Sequence, residues 1–153
     1  MMTITGTWLL ETWRRHETDG TVSYPFGETP QGMLIYTPDG HMAVQMVEAE
    51  RPRLDTDNPI GGTLQERADA YSSCLAYFGR YELDGTSVIH RLDGSLFENW
   101  AGTAQVRPAT LDGDQLILHV VDPQTGHVTN EIAWRRPQPG PNAEPCDGSE
   151  TAP

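Results

Sequence analysis

The dipeptide Asp-Gly recurs along this chain, at 19–20, 39–40, 84–85, 93–94, 112–113 and 147–148. It marks tight turns, because such turns need a positive φ that glycine adopts without strain. The first five copies punctuate short runs rich in Val, Ile, Thr, Tyr and Trp. Runs of that composition, bounded by turn residues, read as strands. The pattern predicts strands near 7–16, 21–24, 32–36, 41–47, 78–83, 86–92, 104–111, 115–121 and 127–135. Short strands joined by tight turns make an antiparallel barrel or sandwich. Around Asp93-Gly94 the pattern allows either a turn or a bulge inside a longer strand.

One segment breaks the strand pattern. Thr63-Leu64-Gln65-Glu66 has the form of a capping box, with a hydroxyl for one orphan N–H and a carboxylate for another. Leu64, Ala68, Tyr71, Leu75 and Phe78 follow at helical spacing, which predicts a helix over 64–77 with one apolar face. Such a helix either plugs one end of a barrel or covers its outside. A long polar loop, 48–62, precedes it and ends in Gly61-Gly62, a pair able to absorb backbone rotation. After Arg136 the residues are mainly proline, glycine and small polar types. That composition cannot build a core, so we expect one domain over 1–136 and a disordered tail over 137–153.

Composition narrows the function classes. The net charge is −12, from 22 acidic and 10 basic residues. Nucleic acid and anionic membranes are therefore poor partners. Every basic residue is arginine, so Schiff-base chemistry on a lysine is excluded. The two cysteines, Cys74 and Cys146, form no CxxC pair and suggest no disulfide scaffold. The five histidines, at 16, 41, 90, 119 and 127, have no metal-ligand spacing, so no metal is expected. No phosphate loop, GxGxxG or GxSxG motif is present, and no cofactor is expected. There is no secretory n-region or long apolar run, which gives a cytoplasmic expectation. Oligomeric state is not legible.

Several stretches carry a family likeness. Gly6-Thr7-Trp8 resembles the G-x-W signature of lipocalin-type barrels. The segments at 24–46, 76–83, 94–107 and 132–136 resemble, in order, those of the bacterial lipocalin-like domain family. The likeness spans about residues 6–136. It implies an all-β fold, an up-and-down antiparallel barrel of about eight strands around a cavity, with the helix inserted. It also implies that Trp8 packs into the closed end with a late arginine across it, for which Arg136 is the candidate. The fold hosts both carriers and enzymes, so it assigns no activity.

Strand alternation proposes the inner faces. Met42, Val44 and Met46 share one face of 41–47. His90 shares a face with Val88 and Leu92. Gln105 and Arg107 share a face of 104–111, and a buried arginine there needs an anionic or strongly polar partner, either Glu98 or a ligand. The stretch GSLFENWAGTAQVR, 94–107, sets Asn99 and Trp100 among further polar groups. Tyr24, Tyr36, Tyr81 and Trp100 offer flat apolar walls with polar tips. The candidate ligand-binding set is thus Tyr24, Tyr36, Met42, Val44, Met46, Tyr81, Asn99, Trp100 and Gln105. The candidate catalytic pair is His90, as general acid or base, and Arg107, as anchor for an oxyanion.

The expected function is binding of a small, mostly apolar molecule in the barrel. Cofactor-free isomerisation, cyclisation, hydration or dehydration of a polyketide- or terpenoid-like intermediate is the leading use of that cavity. A carrier with the same cavity is the alternative. An interaction module whose barrel is filled by its own side chains is the second alternative.

Overall fold

The structure, a computed structural model, describes residues 2–143. Nine strands and one helix follow one another along the chain: β1 (Gly6–His16), β2 (Val22–Ser23), β3 (Gln31–Tyr36), β4 (His41–Val47), α1 (Leu64–Ser72), β5 (Cys74–Asp84), β6 (Ser87–Ser95), β7 (Ala104–Asp112), β8 (Gln115–Val121) and β9 (Val128–Arg135). Each long strand pairs antiparallel with the next, and β1 also pairs with β9. This last pairing closes an eight-strand ring, with the two-residue β2 appended to β1. Closure removes the sheet edges that would otherwise template aggregation.

The two ends of the barrel differ in their connections. At one end the strands are joined by tight turns at 37–40, 85–86 and 113–114. At the other end lie the long connections 17–30, 48–73, 96–103 and 122–127. The tight-turn end is closed by Trp8, which is fully buried and donates its indole N–H to the Ile4 carbonyl at 2.8 Å. Arg136 lies over the Trp8 ring, 4.1 Å from its centroid, and donates to the Thr3 and Thr5 carbonyls. The charge thus faces an aromatic quadrupole on one side and backbone acceptors on the other.

Of three register shifts, in the β1–β9, β5–β6 and β8–β9 pairings, the first two set the inward faces of β1 and β6. Between Leu10 and Thr12 the β1–β9 register shifts. Before it Trp8 and Leu10 are buried; after it the odd-numbered Trp13 faces the cavity and the exposed Arg15 borders its mouth. The extra residue reverses the two-residue alternation. The second bulge lies in β6, where Phe78 pairs with Gly94 but Gly79 pairs with Leu92. Asp93-Gly94 is therefore a bulge within one strand, not a turn. Gly79 is required there: a Cβ on it would lie 2.0 Å from the Arg91 carbonyl oxygen.

The expected helix over 64–77 is corrected. The capping box forms, with Thr63 and Glu66 exchanging hydrogen bonds, but the helix ends at Ser72. The Ser73 hydroxyl donates to the Asp69 carbonyl. From Cys74 the chain pairs with β4, in a seven-residue register from Val47–Cys74 to His41–Arg80. Sheet pairing outweighs continued helix because the helix buries nothing: Leu64 is 81% exposed and Tyr71 49%. Leu75 and Phe78, read as a helical stripe, are strand residues on opposite faces. Of the expected tail, residues 137–143 carry no helix or strand; 144–153, with Cys146, lie outside the described residues.

Candidate functional site

Inside the barrel, toward the end with long connections, lies a cavity of about 620 Å³. That is ample for a small ligand. A barrel filled by its own side chains is excluded by this void. β4 and β5 contribute Met46, Leu75 and Tyr77; β1, β8 and β9 contribute Trp13, Val120 and Ile132; β7 contributes Gln105 and Arg107. Trp100 enters from a single 3-10 turn, Glu98–Trp100. The Trp13 indole N–H donates to Asn130 Oδ1 at 2.9 Å, which fixes the ring at the rim. A smaller recess of about 240 Å³ lies beside α1 and shares Trp13, Leu75 and Trp100 with the cavity.

Two polar features meet the cavity wall. The first is Arg107, 7% exposed. Its Nη2 donates to Gln105 Oε1 at 3.1 Å and its Nη1 to the Val106 carbonyl at 3.3 Å. Among the described residues no carboxylate lies within ion-pair reach of it. Glu98, one of its two expected partners, is exposed. A buried cation without a counter-charge is costly; the cavity is where a counter-charge fits.

The second feature is a chain of three rings behind the wall. His90 is fully buried, with Nε2 2.7 Å from the Tyr36 hydroxyl and Nδ1 3.2 Å from the Tyr77 hydroxyl. Burial, reinforced by the Arg107 charge, pulls the His90 pKa down to about 3. The imidazole is therefore neutral at neutral pH. Burial likewise pushes the Tyr36 phenol well above its ordinary value and raises that of Tyr77; Arg107 opposes both shifts. Tyr81 packs on Tyr36 with ring centroids 4.7 Å apart and donates to the Thr37 carbonyl.

The residues expected from the sequence separate into three groups. Met46, Trp100, Gln105 and Arg107 line the cavity. Tyr36, Met42, Val44, Tyr81 and His90 are buried or half-buried in the packed half of the barrel and do not line it. Tyr24 and Asn99 are corrected: both are exposed. The turn 24–27, closed by Gly27 N–H donating to the Tyr24 carbonyl, buries Phe26 against Trp13 and leaves Tyr24 outside. The 3-10 turn rotates Asn99 to solvent as it brings Trp100 inward.

Tyr77, Leu75, Trp13 and Asn130 line the cavity and were not expected. Tyr77 alternates with Phe78 and precedes Gly79 and Tyr81 by two and four residues, a strand signal that the helical reading masked. Trp13 was hidden by the bulge at Glu11. Among the described residues, no group of three or more His, Cys, Asp and Glu side chains could hold a metal ion, and no helix is long and apolar enough to cross a membrane.

Residues 5–136 match a protein-family model described as a lipocalin-like domain. The 4'-hydroxy-3'-methoxypropiophenone carrier protein of Aspergillus oryzae (strain ATCC 42149 / RIB 40) is 32% identical over 90 residues, covering 54% of this chain and 81% of its own. A lipocalin-like protein from Bacteroides uniformis ATCC 8492, of solved structure, is 15% identical with a TM-score of 0.48, over 87% of this chain and 97% of that one. A point mutant of the fluorescent protein UnaG, also of solved structure, is 11% identical with a TM-score of 0.40, over 87% and 95% of the two chains.

Proposed function

This chain belongs to the lipocalin-like domain family, and on that premise we propose that it binds and carries a small, mostly apolar aromatic molecule in the barrel cavity. The observation that carries this reading is the cavity itself, about 620 Å³ in volume, walled by Trp13, Trp100, Leu75 and Ile132, with Arg107 as its buried charge. Apolar walls supply affinity and a few polar groups fix orientation. The relative named as a carrier of an aryl ketone supports the same class of ligand.

Carriage is preferred over chemistry because the strongest acid–base candidate is poorly suited to proton transfer. His90 stays neutral down to about pH 3 and stands behind Tyr77 rather than at the cavity surface. One observation supports the second reading, cofactor-free isomerisation, cyclisation or hydration–dehydration of a polyketide- or terpenoid-like intermediate. It is the unpaired Arg107 beside a phenol wall, which would stabilise a developing enolate.

Native mass spectrometry of the protein from its own source tests the reading. A stoichiometric small-molecule adduct is expected, and it should disappear in Gln105→Trp, which places an indole in the cavity. An adduct that survives this substitution would place the ligand elsewhere. Incubation of the released compound with fresh protein then separates the two readings. A carrier returns it unchanged; an enzyme converts it, at a rate that falls in Arg107→Met.

A further inference from the structure

We propose that the cavity takes an aromatic phenol or enol and holds it as its oxyanion, with the charged oxygen between the Arg107 guanidinium and the Tyr77 hydroxyl. This rests on the cavity reading above and adds the ligand's ionisation state and its anchoring atoms.

The direction of the buried hydrogen-bond chain supplies half of the argument. Tyr36 is fully buried, and among the described residues its hydroxyl has one partner, His90 Nε2. A buried O–H without an acceptor is costly. The Tyr36 hydrogen therefore points at Nε2. With Nε2 accepting, the neutral imidazole carries its proton on Nδ1. Nδ1–H then donates to the Tyr77 oxygen at 3.2 Å. That leaves the Tyr77 O–H with its own hydrogen free, on a residue lining the cavity. Tyr77 thus presents a donor to the ligand, fixed by a packed chain two rings deep.

Charge supplies the other half. The charged and titratable groups on the cavity lining are Arg15, His16, Glu17, Tyr77 and Arg107. Arg15 pairs with Glu17 at 3.6 Å, and His16 with Glu131 at 2.8 Å. Behind the wall stand His90, held neutral by burial, and Tyr36, whose phenol burial keeps protonated, with Tyr81 packed on Tyr36. Of the charges on the cavity lining, Arg107 is the one without a counter-ion among the described residues. Each of its terminal nitrogens already donates once within the protein. Two of its five N–H donors are thus used, and three remain for a charged ligand oxygen. The aromatic walls select a flat ring to carry that oxygen.

The ligand enters as the neutral phenol, which the chain's net charge of −12 does not repel. Inside, its O–H bond breaks, the oxygen keeps the electron pair, and the proton leaves to bulk water. Nothing is oxidised or reduced.

The test uses 4-hydroxybenzophenone and its methyl ether, 4-methoxybenzophenone, each displacing the neutral fluorophore N-phenyl-1-naphthylamine from the full chain. The fluorophore is expected to bind. The phenol should displace it about tenfold or more better than the ether. Its phenolate absorption band should appear in the complex about one pH unit below the free phenol's pKa. Both preferences should vanish in Arg107→Met, and the phenol's advantage should shrink in Tyr77→Phe while the fluorophore still binds. If the fluorophore binds but phenol and ether compete equally and no phenolate band appears, the oxyanion site is overturned and the cavity reading stands. A phenolate band that persists in Arg107→Met overturns the assignment to Arg107. If the fluorophore does not bind, the cavity reading itself falls, and this proposal with it.

Discussion

At the scale of the residue, His90 ties stability to pH. Its ordinary pKa of 6.5 falls to about 3 in the folded chain. Below pH 6.5 the unfolded chain therefore takes up a proton that the folded chain refuses. This contribution is complete above 6.5 and is lost progressively as pH falls toward 3. Between pH 6.5 and about pH 5 the loss is about 2 kcal/mol. The carboxylates held below their ordinary values, such as Glu82 beside Arg91 and Glu66 at the helix start, act in the same direction but lower on the pH scale. Urea midpoints should therefore already decline in that upper window, and less so in His90→Asn. An NMR titration gives an independent reading, since the His90 ring resonances should keep neutral-imidazole shifts at pH 5. Protonation near pH 6.5 would show that the ring is not sealed from water. Tyr36→Phe removes the donor to Nε2 and should cost about 1–2 kcal/mol, measured by the same denaturation.

At the scale of the element, bulges and turns do the positioning. Gly79→Ala drives a Cβ into the Arg91 carbonyl, so the β5–β6 ladder must shift at the bulge. A loss of about 2 kcal/mol or more is expected in chemical denaturation, with weaker ligand binding, because Tyr77 and His90 flank that bulge. Wild-type stability in this variant would mean that the bulge slides freely. Helix α1 behaves differently. Thr63→Ala removes one partner of the capping box and should weaken hydrogen-exchange protection within 64–72 by about 1 kcal/mol. The urea midpoint should hardly move, because the helix buries no residue. A large drop in the midpoint would reveal that the helix is integral to the core. The sequence showed the cap plainly and hid the end, since Leu75 and Phe78 satisfy helical spacing and strand alternation at once. Only pairing with β4 separates the two readings.

At the scale of the whole molecule, the barrel divides its labour between its ends. The tight-turn end carries Trp8, Ile4 and the Arg136 cap. Substitution there should act on stability: Arg136→Met loses two hydrogen bonds and a cation–π contact and should cost about 2 kcal/mol, while ligand affinity is retained. The other end carries Trp13 and Trp100 where cavity and recess meet. Trp13→Ala should raise the ligand dissociation rate about tenfold, measured by stopped-flow displacement of a bound fluorophore, with a smaller change in association. Equal effects of both variants on stability and release would deny the division.

Much of this architecture is a local matter and so is written in the sequence. Turn positions follow from Asp-Gly chemistry, strand faces from two-residue alternation, and the helix start from its capping box. Each depends on residues a few positions apart. The inward places of Met46, Gln105 and Arg107 were legible for that reason, as was the burial of His90 among Val88 and Leu92. Closure of β1 on β9, the reversal of faces at the Glu11 and Asp93 bulges, and the end of the helix at Ser72 depend on partners far along the chain. Those same long-range pairings bring Tyr36, Tyr77 and His90 into one hydrogen-bonded chain and leave Arg107 without a carboxylate. The sequence by itself determined a set of turn-punctuated antiparallel strands with polar groups on their proposed inner faces. Only the tertiary structure decided which of them face the cavity, because a single inserted residue turns every side chain beyond it to the other side of the sheet.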